Sequence, residues 1–459
     1  MNRNMKKMII SAIAASCALL GATACTDYLY DGEIDLTPAD KDVWVDYTFA
    51  HPCILGTADD FARVKLHIDA ADASDPVYVA WQQLCNNDFA SATREPDPQE
   101  TLVRGDATGT GVGGENYIHA CRDAAAAYQL GLRWQLAGDR ACAAQGVKIL
   151  NAWAAVCKNI TANDMNQYLL CGFQGYQFAA AAELLRDFDG WQAEDLAKFK
   201  TWMVDLWYRK NMEFLTNHGG TCNLHYWTNW DMANMCSVLA IGILTDDNEK
   251  VNYAINYFKN GVGSGCIKNM IPYDPVADPA GHSALIAQNM ESGRDQGHAT
   301  LVVAVSAEFC QMAWNIGEDL FGYDNNRMLA MFEYEAKYNV KPRATGTYTC
   351  SDNEMPFTEY KYCIDCSCRN KNHGAIHTAV SPEQRGKERP GWELIHSHYA
   401  KVKGLAPNNY YYSALFADQL RYNNGTLTGD GGAGDSRYGG TSAAFDQVGW
   451  GTLLYYRGE

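Results

Sequence analysis

The sequence predicts an all-α protein built as an (α/α) toroid, a ring of six or seven helical hairpins in one large domain. From residue 59 onward, apolar residues recur at three- and four-residue spacing with almost no strand-like alternation. Helices rich in small apolar residues alternate with amphipathic ones. That alternation is expected where inner helices are buried on both sides and outer helices face water. A helical solenoid is the structural alternative, although no repeated motif is visible.

The predicted helices follow one another without a Pro/Gly/Ser-rich linker that would mark a domain boundary. They are assigned to residues 59–71, 121–139, 140–157, 175–188, 194–215, 229–244, 247–262, 297–317 and 326–339. The Gly-rich stretch 428–440 lacks the spacing of a P-loop and is interpreted as a surface loop.

The N-terminus is interpreted as a lipoprotein signal peptide over residues 1–24. A basic start, an apolar run too short to span a bilayer, and small residues precede Cys25, which would carry the lipid. Ala22 stands where a larger aliphatic residue is commoner, so a plain signal peptide is the alternative. Residues 25–48 are assigned to a polar leader and residues 49–459 to the toroid. We therefore expect an exported protein, lipid-anchored in the periplasm or on the outer-membrane surface.

The amino-acid composition limits the classes of partner that the protein is expected to bind. A formal net charge of -17 argues against nucleic acid, which needs a broad basic surface, but it allows an anionic polysaccharide in a locally basic cleft. The chain has 12 Trp and 27 Tyr, and such rings suit the faces of sugars. No P-loop and no GxSxG motif occurs. We expect no cofactor, and a monomer that meets the membrane only through the anchor on Cys25.

Sixteen cysteines are scattered through apolar helical patterns, which favours buried thiols and a few disulfides. One cluster differs, and it contains Cys363, Cys366, Cys368, His373 and His377. These residue types suit zinc, whereas an exported compartment makes a local disulfide equally natural. Both alternatives stay open, and no metal is assigned to the functional site.

Polar, aromatic stretches separate the helix pairs and would converge on one rim of a toroid. They span residues 86–91, 113–119, 171–177, 222–230, 291–298 and 392–399. The candidates for substrate binding that these stretches supply are Asn87, Tyr117, Gln174, Tyr176, Trp227, Trp230 and His398.

Residues 222–230 lead directly into an apolar helix. The structural interpretation is an N-cap at Asn229 with aromatic packing around it. In the functional interpretation, Asn229 donates hydrogen bonds to an anionic group at the helix N-terminus. His225 would then act as a general base, and Trp227 or Trp230 would form a stacking wall.

Residues 291–298 have the same organisation. The structural interpretation is an Arg–Asp pair beside a satisfied histidine. In the functional interpretation, Arg294 binds and neutralises a carboxylate, and His298, one turn further on, moves a proton. Glu291 and Asp295 would support them. In the stretch 392–399, Tyr399 is a further candidate phenol.

Several ordered motifs together resemble the alginate-lyase superfamily, and most closely polysaccharide lyase family 38. They are "HPCILGTADDFARVK", "NYIHACRDAAAAYQLGLRWQLAGD", "NWDMANM", "ESGRDQGHATLVV" and "RPGWELIHSHYAKVKG", which are spread over nearly all of the mature chain. The resemblance implies an (α/α) toroid. It also implies β-elimination of β-1,4-linked uronic acid polymers such as mannuronate-rich alginate or glucuronan.

β-Elimination requires that the C5 carboxylate be neutralised, the C5 proton removed and a proton supplied to O4. Asn229 and Arg294 suit the first role. The candidates for base and acid are His225, His298, Tyr226 and Tyr399.

The related family 5 lyases carry the motif Asn-Asn-His-x-Tyr-Trp. Aligned on Tyr226 and Trp227, its histidine falls on Leu224, so the family 5 base is not carried over to His225. Two functional alternatives are a toroidal glycoside hydrolase and a non-catalytic glycan-binding lipoprotein. The hydrolase would use Glu291, Asp295 or Asp231 as its acid and base.

Overall fold

The structure is a computed structural model that describes residues 44–105, 114–363 and 374–458. The predicted signal peptide, Cys25 and most of the polar leader lie outside the described residues, as do Cys366, Cys368 and His373. Among the described helices, none combines the length and the apolarity needed to cross a membrane.

The described residues are mainly helical, with three small two-stranded sheets. The helices are α1 (Ala58–Ala70), α2 (Pro76–Cys85), α3 (Ile118–Ala137), α4 (Arg140–Val156), α5 (Asn166–Leu185), α6 (Ala193–Trp202), α7 (Arg209–Asn217), α8 (Thr228–Leu244), α9 (Asn248–Asn260), α10 (Ile267–Met270), α11 (Gln296–Asn315), α12 (Tyr323–Asn339), α13 (Trp392–Ser397), α14 (Tyr411–Arg421) and α15 (Gly451–Tyr455). The strands are β1 (Thr101–Val103), β2 (Asn159–Thr161), β3 (Tyr360–Tyr362), β4 (Ala375–His377), β5 (Tyr422–Asn423) and β6 (Thr426–Leu427).

The helices pack as six pairs arranged in a ring. The pairs are α1 with α2, α3 with α4, α5 with α7, α8 with α9, α11 with α12, and α13 with α14, and α6 packs against α4. The C-terminal helix α15 contacts α1, α2 and α13, so it joins the last pair to the first. The predicted all-α toroid is therefore confirmed.

The difference between inner and outer helices follows from the sequence. The inner helix α8 is apolar nearly all round, and Trp230 is its only residue that is not buried. The outer helix α9 buries Val251, Ala254, Ile255 and Phe258, which recur at three- and four-residue spacing along one face. As predicted, the inner helix is buried on both sides and the outer helix on one side.

The inner helices run parallel to one another. At mid-height of the ring, the Tyr176 hydroxyl of α5 donates to Glu308 Oε2 of α11 at 2.8 Å. The Cys236 thiol of α8 donates to the Val305 carbonyl of α11 at 3.3 Å. Direction is given by α5 and α8, where Gly172 faces Ala233 and Gly175 faces Ser237, so positions along the two helices increase together. Strands β1 and β2, which precede α3 and α5, also pair in parallel. The N-termini of α3, α5, α8 and α11 therefore lie at the same rim.

One expected rim segment is instead the middle of a helix. Residues 171–177 belong to α5, where Gly172 and Gly175 face α8. A Cβ atom at Gly172 would lie 2.7 Å from the Ala233 backbone, so glycine permits the close approach of these two helices. Gly172 and Gly175 are therefore packing residues inside a helix.

His51, near the start of the described residues, contacts the C-terminal ends of α5 and α8. His51 Nδ1 lies 2.6 Å from Glu183 Oε1, and its Nε2 lies 2.7 Å from Asp246 Oδ1. Burial alone would lower the pKa of His51, but the two carboxylates raise it above its ordinary value. His51 is therefore held as an imidazolium between two anions.

This bridge predicts a pH-dependent contribution to stability. Because the folded pKa of His51 is raised, its contribution is complete below the unfolded pKa of about 6.5 and is lost as pH rises through the folded value. We expect His51→Gln to lower the free energy of unfolding by about 1–3 kcal/mol at pH 5.5. By pH 9 the difference should be much smaller, as measured by urea denaturation. His119→Gln, which removes an exposed pair with Asp97, should change little at either pH. An equal loss from His51→Gln at both pH values would contradict the bridge.

Candidate active site

The predicted residues on α8 and α11 meet at the rim formed by the N-termini of the inner helices. Trp227 precedes α8, and Asp295 caps α11 by accepting a hydrogen bond from the His298 N–H at 2.8 Å. Parallel helices present the positive ends of their dipoles together. This rim therefore favours an anionic ligand, although the chain as a whole is acidic.

Glu291 is a fully buried carboxylate at the centre of this cluster. Its Oε1 accepts hydrogen bonds from the Asn229 backbone N–H at 2.9 Å and from Asn229 Nδ2 at 2.8 Å. Its Oε2 lies 3.2 Å from Arg294 Nη1. A buried charge is costly unless it is paired, and these three donors supply the pairing. The Asn229 amide, which is itself buried, thus holds Glu291, which corrects the expectation that it contacts a ligand directly.

Arg294 and His298 lie side by side, as their four-residue spacing predicts. Arg294 Nη2 lies 3.3 Å from His298 Nε2, and because arginine has no acceptor, Nε2 must carry the lone pair. The ring proton is then on Nδ1, which donates to Asp295 Oδ2 at 2.7 Å. Burial raises the pKa of Asp295, but its bonds with His298 and the charge of Arg294 bring it below its ordinary value. The result is a neutral imidazole beside a guanidinium, with side chains 35% and 27% exposed.

Trp227 supports Arg294 from below. The Tyr362 ring stacks on it with a centroid separation of 3.9 Å and an interplanar angle of 16°. The Arg294 guanidinium lies 5.0 Å from the Trp227 ring centroid. With a phenol ring and a guanidinium stacked on it, Trp227 is not an open platform for a sugar. The expected stacking wall is therefore corrected to a support for Arg294.

His377 is a site residue that sequence reasoning placed only among metal-ligand candidates. It lies on β4, in the β3–β4 hairpin that carries Tyr362, and its ring centroid is 5.7 Å from that of Trp227. Its Cβ packs where a side chain on Gly293 would sit, and its Nε2 is buried without a partner among the described residues. Burial, together with the charge of Arg294, lowers its pKa. A second neutral imidazole thus faces the cluster.

The other aromatic residues before α8 contact the β3–β4 pair and the edge of the core. His225 is buried, and its Nδ1 lies 3.3 Å from Cys363 Sγ. Tyr226 packs edge-on against Phe214, and its ring centroid is 5.1 Å from that of Trp230. His225 thus contacts Cys363 at the end of β3, and Trp230 belongs to an aromatic cluster at the edge of the core.

One group of side chains near the site has the atoms of a metal site. The ligand atoms of Cys222, His225 and Cys363 lie within 4.8 Å of one another. Cys363 is disulfide-bonded, however, which removes the thiolate that a metal would bind. At Cys363 the structure thus follows the disulfide alternative.

The structure separates Tyr399 and His398 from the rim. The Tyr399 hydroxyl is fully buried and donates to the Phe321 carbonyl at 2.9 Å. His398 packs edge-on against Trp314, which lies 16 residues beyond His298 on α11, or about 24 Å along the helix. Burial lowers the pKa of His398 to about 3. Both residues are therefore at the opposite end of the ring, and neither is positioned to act with Arg294.

The remaining substrate-binding candidates take different positions. Tyr176 and Gln174 are buried on α5, where Gln174 Nε2 donates to the Phe445 carbonyl at 3.3 Å. Asn87 caps a short turn through the Phe89 N–H. Tyr117 lies at the start of α3, on the same rim as Arg294. Tyr117 is thus placed where it can meet a ligand of the rim.

Comparison with known proteins finds similarity to one enzyme family. Residues 93–269 match the alginate lyase family model. The matched stretch is less than half of the chain, and over it the sequence is similar to alginate lyases. The family match also confirms the predicted enzyme class, a polysaccharide lyase that acts on uronic acid polymers. No curated protein matches the sequence.

Solved structures of the superfamily share the fold. Alginate lyase A1-III from Sphingomonas species A1 aligns with a TM-score of 0.52 and 14% identity, over 89% of this chain and 98% of that one. A variant of alginate lyase A1-III complexed with tetrasaccharide aligns with a TM-score of 0.54 and 13% identity, over 90% of this chain and 99% of that one. An alginate lyase from Bacteroides ovatus aligns with a TM-score of 0.51 and 12% identity, over 83% of this chain and 98% of that one. At this level of identity the likeness concerns the fold.

The pairing of Glu291 can be tested by stability. Glu291→Gln removes the charge that Arg294 and Asn229 satisfy, so we expect it to lower the free energy of unfolding by about 2–4 kcal/mol. Urea denaturation measures the change. Glu95→Gln is the matched control, because Glu95 pairs with Lys148 at the surface, and it should cost less than about 0.5 kcal/mol. Similar losses in the two variants would argue against Glu291 as the anchor of the site.

Proposed function

We propose that the protein cleaves β-1,4-linked uronic acid polymers, mannuronate-rich alginate or glucuronan, by β-elimination at the rim beside Arg294 and His298. The observation that carries this proposal is the contact of the partly exposed Arg294 guanidinium with a neutral, partly exposed His298. A cation that meets the substrate carboxylate and a base for the C5 proton are the two groups that elimination needs first.

Arg294 neutralises the uronate carboxylate. One of its nitrogens faces Glu291 and Nε faces Asp295, so the guanidinium is oriented before substrate arrives. Its remaining N–H groups bind the carboxylate, and they stabilise the negative charge that develops there when C5 loses its proton. Glu291 and Asp295 act by fixing this geometry and do not contact the reacting atoms.

His298 transfers the proton. When the carboxylate takes over the hydrogen bond from Arg294 Nη2, the Nε2 lone pair becomes available to C5–H. The C5–H electrons then form the C4–C5 double bond, the C4–O4 bond breaks, and Asp295 stabilises the imidazolium through Nδ1. In D-mannuronate and D-glucuronate, H5 and O4 lie on the same side of the ring. His298 can therefore return the proton to O4, and no separate acid is needed.

The hydrolase alternative lacks a pair of accessible carboxyl groups. Glu291 is fully buried, and its oxygens face Asn229 and Arg294. Asp231 is also buried, and it accepts hydrogen bonds from the Tyr257 hydroxyl and the Gly265 N–H. Asp295 is held by His298. A glycoside hydrolase needs one carboxyl free to donate a proton to the leaving oxygen.

One assay separates lyase, hydrolase and carrier. The protein is mixed with polymannuronate or glucuronan, and the ultraviolet absorbance of unsaturated chain ends is followed together with new reducing ends. Both signals should rise at the same rate for a lyase. Reducing ends without absorbance would indicate hydrolysis, and binding with neither signal would indicate a carrier.

The catalytic pair predicts large losses in turnover. Arg294→Ala and His298→Ala should each lower kcat at least about a hundredfold in the absorbance assay, because each removes a charge-stabilising or proton-transferring group. Tyr399→Phe is the control, since its hydroxyl bonds Phe321 at the opposite end of the ring, and its kcat should stay within about threefold. Near-wild-type turnover of folded Arg294→Ala and His298→Ala would refute the assignment.

We infer that the protein is exported and anchored to a bacterial membrane through a lipid on Cys25, that it acts as a monomer, and that it is most similar to polysaccharide lyase family 38. The support is the basic and apolar N-terminus, the small residues before Cys25 and the order of the motifs. Cys25→Ser should move the protein from the membrane fraction to the soluble fraction on cell fractionation. An unchanged distribution would contradict the anchor.

A further inference from the structure

Arg104 differs from Arg294 in having no counter-ion among the residues that the structure describes. It follows β1 and is partly buried. Within the described residues, no carboxylate pairs with it, and its Nη1 is buried without a hydrogen-bond partner. Its guanidinium lies over the Tyr117 ring, 4.9 Å from the centroid. Buried polar atoms are normally satisfied, so an unpaired guanidinium nitrogen indicates a missing acceptor.

The position of Arg104 connects it to the active site along one rim. A Cβ atom on the next residue, Gly105, would meet the Asp164 side chain. Met165, which follows Asp164, lies where a side chain on Gly219 would sit, and the Tyr226 hydroxyl lies 3.5 Å from the same point. Tyr226 is followed by Trp227, beneath Arg294. Neighbouring residues therefore line the rim without a break from Arg104 to Arg294.

The spacing of the packed helices gives an estimate of the distance between Arg104 and Arg294. Tyr117 begins α3, and Trp227 precedes α8, with α5 between these two helices. Because packed helices lie about 8–10 Å apart, Arg104 is on the order of 20 Å from Arg294. A polymer seated at Arg294 would span that distance with several sugar units.

We propose that Arg104, with Tyr117 beneath it, forms a second carboxylate-binding position for a uronate unit remote from the cleaved bond. The guanidinium supplies paired N–H donors for a carboxylate, and the phenol ring fixes its plane. The four inner helix N-termini add a positive field along the same path. Binding at this position would favour longer anionic chains over short ones. The proposal rests on the proposed function.

The test compares polymer with short substrate. For Arg104→Gln, we expect KM for polymannuronate to rise roughly tenfold or more, because a charge-assisted bond is lost. KM for a mannuronate trisaccharide, which is too short to span the two positions, should rise much less. Arg104→Lys should recover part of the polymer affinity. Arg122→Gln, which removes an exposed charge from the first turns of α3, is the matched control and should leave both KM values within about twofold of the wild type.

The outcomes also separate this proposal from the lyase assignment. Equal effects of Arg104→Gln on polymer and trisaccharide, or none on either, would overturn the second position while leaving the lyase intact. If the wild-type protein gives no unsaturated ends, the proposed function fails. Affinity electrophoresis in polymannuronate gels then decides, and loss of retardation in Arg104→Gln but not in Arg122→Gln would still support the position. If Arg104→Gln does not fold, Tyr117→Leu should give the same polymer-selective loss.

Discussion

The active site depends on one buried charge. Glu291 has no exposure to solvent, and its desolvation is offset by the backbone and side chain of Asn229 and by Arg294. These bonds join the N-terminus of α8 to the segment that leads into α11. They also fix Arg294, whose Nη2 in turn orients the lone pair of His298. Arg294 and His298, the proposed reacting groups, are thus positioned by a carboxylate that is shielded from solvent.

The parallel inner helices explain why the site lies at this rim. Polar residues that precede an apolar helix must leave the core at its N-terminus, and four such ends lie together here. Their dipoles favour negative charge, which an acidic chain would otherwise repel. A polyanionic substrate is therefore attracted by local features of the rim, namely helix ends and arginines, and not by the net charge of the protein.

Much of the fold and part of the site could be predicted from the sequence. Apolar periodicity predicted a helix over 229–244, and α8 spans Thr228–Leu244. The spacing of Arg294 and His298 predicted that they share a helix face, because residues four apart are neighbours. Such local signals need no knowledge of distant contacts.

Long-range packing determined what the sequence could not predict. His377 reaches the cluster through the β3–β4 hairpin, in which it pairs with Tyr360, and nothing near His377 in the sequence indicates Trp227. The sequence predicted Tyr399 at the same rim as Arg294, but it lies near the C-terminal end of α11, where it contacts Phe321. The residues around Tyr399 do not indicate which end of the ring their segment reaches. The only local sign of His377 was its place after the cysteine cluster.

The central claim is that Arg294 acts by neutralising the substrate carboxylate, and methyl-esterified polymannuronate tests it most directly because its carboxyl groups carry no charge. The measurement is kcat/KM of the wild type and of Arg294→Ala on the acid and on the ester. The account predicts that Arg294→Ala loses at least about a hundredfold on the acid and only a few-fold on the ester, since the ester leaves no charge to neutralise. An equal loss on both substrates would contradict it.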